Sequence, residues 1–116
     1  MKVESVAVRD VRFPTSREGD GSDALNQGDY SATYVTLRAE DGLEGHGLTF
    51  TNGRGNELCV AAVEALRRHV EGRELDPLPE GMRGLVLGLT RDPQLRWLGP
   101  EKGILQLSTA ALVNAA

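Results

Sequence analysis

Up to Phe50 the apolar positions tend to alternate, and beyond it they recur every three or four residues. In the opening segment, Val3 to Phe13, Val6 and Val8 share one strand face while Val11 and Phe13 share a face of opposite parity. A strand of period 2 cannot bury all four without an extra residue, so the pattern predicts a bulge near Arg9-Asp10. Pro14 ends the strand, because proline has no N–H to give to a ladder. Residues 15 to 29 (TSREGDGSDALNQGD) are rich in Gly, Asp, Ser and Asn and predict a long loop. Tyr30 to Ala39 is rich in β-branched and aromatic residues, with Val35, Leu37 and Ala39 on one face. Asp41-Gly42 marks a hairpin, and Leu43 to Phe50 is the return strand. Gly45 and Gly47 share one face of it, where another backbone could approach closely.

Thr51 to Gly55 (TNGRG) is a tight glycine loop, and Asn56 is the expected N-cap of a helix with Glu57 at its positive end. From there to Glu71, Cys59, Val63, Leu66 and Val70 form one apolar stripe, widened by Ala62; Gly72 supplies the stop. Pro77 and Pro79 mark a connector. Met82, Leu85, Val86 and Leu89 keep helical spacing, although Gly84 and Gly88 each weaken a helix by about 1 kcal/mol relative to Ala. Asp92-Pro93 breaks that helix. A last one opens at Gly99-Pro100-Glu101 and carries Ile104, Leu107, Ser108, Ala111, Leu112 and Ala115 on one stripe. The expected fold class is α+β: a three-stranded antiparallel meander followed by about three helices.

Composition narrows the function classes. A chain of 116 residues fits one small domain. Its net charge of -4 argues against nucleic acid, since phosphate binding needs clustered Lys and Arg. No stretch approaches the roughly 20 apolar residues of a membrane span. Charges break the apolar residues of MKVESVAVRD, so it does not read as a signal peptide. The single cysteine, Cys59, cannot form an internal disulfide and reads as a small core residue. A cytoplasmic location is expected. The last helix runs to Ala115-Ala116 without a cap, charge or glycine, which predicts a piece of a longer protein; a frayed terminus is the other reading.

Three stretches carry a resemblance: V-R-D-V-R-F-P-T-S at 8 to 16, D-Y-S-A-T-Y-V at 29 to 35 and Q-L-R-W-L-G-P-E-K-G at 94 to 103, with G-L-T-F-T-N-G-R-G-N at 47 to 56 between them. In order and spacing they resemble the N-terminal domain of the L-fuconate dehydratase family. That family lies in the mandelate racemase and muconate lactonizing branch of the enolase superfamily, and the resemblance covers essentially the whole chain. It implies that residues 1–116 are a capping domain and that a (β/α)-barrel catalytic domain follows in the parent enzyme. It implies a magnesium ion on three barrel carboxylates, a lysine and a histidine as acid/base groups, and symmetric homo-oligomers. The parent reaction would abstract the proton α to the substrate carboxylate and then lose the 3-hydroxyl, giving 2-keto-3-deoxy-L-fuconate from L-fuconate. Here there are only two lysines, Lys2 and Lys102, with no Lys-x-Lys pair, so no catalytic residue, metal ligand or cofactor site is expected in the chain itself.

The resemblance also implies that two loops, Thr15 to Asp29 and Thr51 to Gly55, close over the barrel mouth and select the distal end of a sugar acid. It places substrate contacts at Gly21, Ser22, Asp23 and Tyr30. Glycine lets backbone approach sugar hydroxyls, Asp23 accepts hydrogen bonds from them, and Tyr30 offers a hydroxyl on a flat apolar body. Gly-Ser-Asp is equally turn chemistry. Arg54 is a candidate to reach substrate or barrel; its loop is either an anion site at a helix N-terminus or a turn that needs glycine. Trp97 reads as packing at a junction with the barrel rather than sugar stacking. Lys102, a cation in a first helical turn, reads as a partner for a barrel carboxylate or as surface. His46 reads as a satisfied, partly buried histidine and His69 as solvated; a lone His makes no metal site. The leading expectation is therefore an inactive substrate-capping fragment of an acid-sugar dehydratase. The alternatives are a free-standing sugar-acid binding module and a remnant without function.

Overall fold

The computed structural model describes residues 1–18, 28–97 and 103–116. The elements run β1 (Val3–Arg12), α1 (Thr15–Glu18), β2 (Ser31–Ala39), β3 (Glu44–Thr51), α2 (Asn56–Leu66), α3 (Pro79–Thr90) and α4 (Ile104–Ala115), with single 3-10 turns at Arg67–His69 and Leu95–Trp97. The strands form one antiparallel sheet in the order β1-β2-β3, the expected meander. Where a continuous loop was expected after Pro14, the chain first makes one helical turn, closed by the Arg17 N–H on the Pro14 carbonyl at 3.1 Å.

The expected bulge near Arg9-Asp10 is absent. Pairing of β1 with β2 is unbroken from Ser5↔Arg38 to Arg12↔Ser31, and the register shifts instead between Val3 and Ser5. That shift is what lets Val3 and Val6, which differ in parity, both reach the core. Further along, the strand keeps its period. Val6, Val8, Asp10 and Arg12 stay on the inner face, opposite Leu37, Val35, Thr33 and Ser31. Val11 and Phe13 pass to the outer side, and Phe13 is exposed. Polar residues replace apolar ones on the inner face because polar partners await them there.

Among the described residues, α2 and α4 pack on that inner face. Val35, Leu37, Val63, Leu66, Leu89 and Leu112 meet in one core. Gly45 and Gly47 bring the backbone of α4 directly onto β3: a Cβ on Gly47 would strike the Ala111 carbonyl oxygen and come within 2.7 Å of the Ala115 nitrogen. This seating fixes the rotation of α4. Leu105, Ser108, Thr109 and Leu112 turn inward together with Ala111 and Ala115, while Leu107, expected on the buried stripe, is exposed. The expected start of this helix at Pro100, and Lys102, lie outside the described residues.

Candidate functional site

Toward one end of the sheet the inner face changes from apolar to polar. Asp10, Arg12, Ser31, Thr33, Thr49 and Thr51 lie there in register. Their hub is Asn56, which is fully buried. Asn56 is not the cap of α2: Gly55, at φ 94°, holds that place, and Asn56 begins the helix with its side chain turned inward. Its amide nitrogen donates to Asp10 Oδ1 at 2.7 Å, and its amide oxygen accepts from Thr33 Oγ1 at 3.1 Å and Thr51 Oγ1 at 2.9 Å. Arg12 grips Asp10 with two nitrogens, at 2.6 and 2.8 Å, reaches Glu57 at 3.1 Å, and donates through Nη1 to the Gly53 carbonyl at 2.6 Å. Hydrogen bonding from Arg12, reinforced by Asn56, holds the Asp10 carboxyl below the usual range, and Asp10 in turn raises the Arg12 guanidinium.

Two loops meet above this network. The stem of the first is closed by Phe13 N–H on the Tyr30 carbonyl at 2.8 Å and by Tyr30 N–H on Thr15 Oγ1 at 3.0 Å. Asp29 Oδ1 accepts from the Ser16 hydroxyl at 2.5 Å and the Ser16 N–H at 3.1 Å, which holds the Asp29 carboxyl low. The second loop is the glycine turn between β3 and α2. Gly53, at φ 110°, packs so closely that a Cβ there would lie 2.6 Å from the Asp29 carbonyl oxygen; a Cβ on Gly28 would strike the carbonyl of Asn52. The two turns thus touch backbone to backbone.

Two of the expected substrate contacts, Tyr30 and Arg54, lie among the described residues. Tyr30 is half-buried at the stem, its ring edge-on to Phe50 at 5.3 Å, and Arg54 stands exposed in the adjoining glycine turn. Gly21, Ser22 and Asp23 lie outside the described residues. The positive end of α2 is already occupied by its own carboxylate. The Gly55 N–H donates to Glu57 Oε1 at 3.2 Å, and the N–H of Glu57 itself is the first cause of that carboxyl's lowered pKa, ahead of Arg12. The turn reading therefore prevails over the anion reading for Thr51 to Gly55.

His69 is not on a solvated face: its Nε2 lies 2.6 Å from Oδ2 of the buried Asp92, which also accepts from Arg68 at 2.9 Å. His46 is exposed beside Thr36 rather than partly buried. Trp97 is 77% exposed, with the Arg96 guanidinium 5.1 Å from its ring centre. Cys59 is buried in the core, where desolvation raises its thiol. The sequence reading took Asn56 only as a cap and missed the network it makes with Asp10 and Arg12. The signal was Asp10-x-Arg12, a period-2 polar pair continuing the face of Val6 and Val8.

No protein-family profile matches the chain. Mitochondrial enolase superfamily member 1 of Bos taurus is 54% identical over 117 residues, covering 98% of this chain and 26% of the relative. L-galactonate dehydratase of Hypocrea jecorina is 47% identical over 108 residues, covering 92% of this chain and 24% of the relative. The crystal structure of human mitochondrial enolase superfamily member 1 superposes with a TM-score of 0.87 at 50% identity, over 97% of this chain and 26% of that one. The chain carries the N-terminal capping fold of the enolase superfamily.

It spans about a quarter of the length of the curated relatives it matches. A more distant structure, L-talarate dehydratase from Polaromonas sp. JS666 complexed with Mg and L-glucarate, shares this fold at 13% identity, with a TM-score of 0.66 over 96% of this chain and 27% of that one. Among the described residues no group of three His, Cys, Asp or Glu side chains could hold a metal ion. Among them, too, no helix is long and apolar enough to cross a membrane.

Proposed function

We propose that this chain is the substrate-capping part of an acid-sugar dehydratase acting on L-fuconate, with the chemistry carried by a (β/α)-barrel domain of the whole enzyme. The observation that carries the reading is the backbone contact between the Gly28-Asp29 stem and the Asn52-Gly53 turn, which brings the end of one polar loop and a glycine turn to one edge of the sheet. An edge of that kind suits closure over a site, exclusion of water and selection among substrate hydroxyls. The 47% identity to an L-galactonate dehydratase supports a sugar acid as the substrate class. In this reading Gly21, Ser22, Asp23, Tyr30 and Arg54 contact the end of the substrate away from its carboxylate. Magnesium belongs to the barrel, and the whole enzyme works as a homo-oligomer.

The experiment is to express the complete open reading frame and follow formation of the 2-keto-3-deoxy acid with magnesium. L-fuconate is expected to be turned over with a higher kcat/KM than L-galactonate. Preference for L-galactonate would refute the L-fuconate assignment. Turnover of no sugar acid by a folded full-length protein would refute the dehydratase reading.

A further inference from the structure

Arg12 stands where both loops can be governed by one side chain. It is the last residue of β1, so the next residues, Phe13 and Pro14, lead into the first loop. Its guanidinium is not free to wander. Asp10, two residues back on the same strand face, takes two of its nitrogens, and Glu57, in the first turn of α2, takes one. Thus oriented, Nη1 reaches the Gly53 carbonyl at 2.6 Å. Gly53 is the residue whose Cα packs on the Asp29 carbonyl across the gap between the loops. The same Asp10 carboxylate takes a hydrogen bond from Asn56, which ties Thr33 of β2 and Thr51 at the end of β3 into the assembly.

We infer that Arg12 is a positioning residue: its bond to the Gly53 carbonyl latches the Thr51–Gly55 turn, and with it Arg54, against the Gly28-Asp29 stem. The inference rests on the capping reading for its consequence on turnover but not for the latch itself. A planar guanidinium turns Nε and Nη2 to Asp10, shares Nη2 with Glu57 and leaves Nη1 for Gly53; a lysine ammonium is a point donor on a flexible stem and cannot hold that fork. Lysine is therefore expected to fail as a substitute despite its charge. If the latch fixes how the cap meets the bound substrate, loosening it weakens substrate and transition state alike, and KM rises while kcat holds.

The test uses the full-length protein with Arg12→Met and Arg12→Lys, and with Arg38→Ala as a control that breaks an exposed ion pair, to Glu44, on the outer sheet face. Amide hydrogen exchange at Gly53 to Gly55 is expected to rise about tenfold in both Arg12 variants, with α3 and α4 unchanged, since one charge-assisted hydrogen bond is lost from a local opening. KM for the sugar acid is expected to rise about tenfold with kcat within about twofold. The control should change neither. Unchanged exchange in the turn overturns the latch whatever the kinetics. Faster exchange with an unaltered KM overturns the positioning role. If the wild-type protein turns over no sugar acid, the dehydratase reading fails by itself, and the exchange measurement still decides the latch. Should Arg12→Met not fold, Arg12→Lys keeps the charge and decides it alone.

Discussion

Asp92 shows how much one buried carboxylate organises. Following α3, it sends Oδ1 to the N–H groups of Gln94 and Leu95, both at 2.8 Å, and Oδ2 to Arg68 and His69. It thereby starts the 3-10 turn at Leu95–Trp97 and ties it to the 3-10 turn Arg67–His69 that follows α2. The backbone bond from Leu95 and the bond from His69 hold its carboxyl far below the usual range, more than offsetting desolvation. A carboxyl depressed in the folded state stabilises fully above the unfolded value of about 3.9, and that contribution disappears as pH falls toward the folded value. Asp92→Asn is expected to cost about 2 kcal/mol at pH 7, through loss of the charged acceptor. The deficit should shrink at pH 3 when unfolding midpoints are compared. A deficit that grew on acidification would show that the charge does not stabilise. From the sequence, Asp92 was legible only as half of an Asp-Pro helix breaker, because its side-chain partners in the 3-10 turn after α2 are 23 and 24 residues away.

At the level of elements, alternation and helical spacing carried most of the fold: the strands, the hairpin, the glycine approach to β3 and the three longer helices. What failed was the treatment of inward polar residues. Val11 and Phe13 seemed to need the core, but the core had no place for them, and Asp10 and Arg12 had fixed partners on α2 and its preceding turn. The expected stripe of α4 is buried at Ser108, Ala111, Leu112 and Ala115, and its seating on glycine turns Leu105 and Thr109 inward where Leu107 was expected. That seating gives a sharp comparison between two glycines. Gly47→Ala puts a methyl against helix backbone that cannot yield locally, and is expected to cost about 3 kcal/mol by overpacking. Gly42, at φ 85° in the hairpin, has open space around its Cα. Gly42→Ala should cost about 1 kcal/mol, the penalty for a side chain in left-handed conformation. Denaturant midpoints with unchanged m-values would measure both; an equal or reversed order would mean that α4 does not sit on β3 as described.

The whole molecule is a plate of 44 × 33 × 22 Å. Its radius of gyration of 15.1 Å exceeds the roughly 13 Å of a round domain this long, as expected when one layer of helices covers one face of one sheet. Among the described residues, several carboxylates are bound to neighbours within the chain. Asp10 and Glu57 hold Arg12, Asp29 holds Ser16, Glu44 holds Arg38, and Asp92 gathers Arg68 and His69. Proton abstraction next to a carboxylate needs the opposite, a base and a cationic stabiliser converging on one substrate atom. Residues 1–116 prepared alone are therefore expected to produce no 2-keto-3-deoxy acid from L-fuconate, with or without magnesium. Their melting temperature should be the same in millimolar magnesium and in EDTA, because a ligand raises stability only by binding the folded state. Turnover by this piece would require catalytic groups outside the described residues. A magnesium-dependent rise in melting temperature without turnover would instead place a metal site in the cap, and the division of labour between cap and barrel would have to be redrawn.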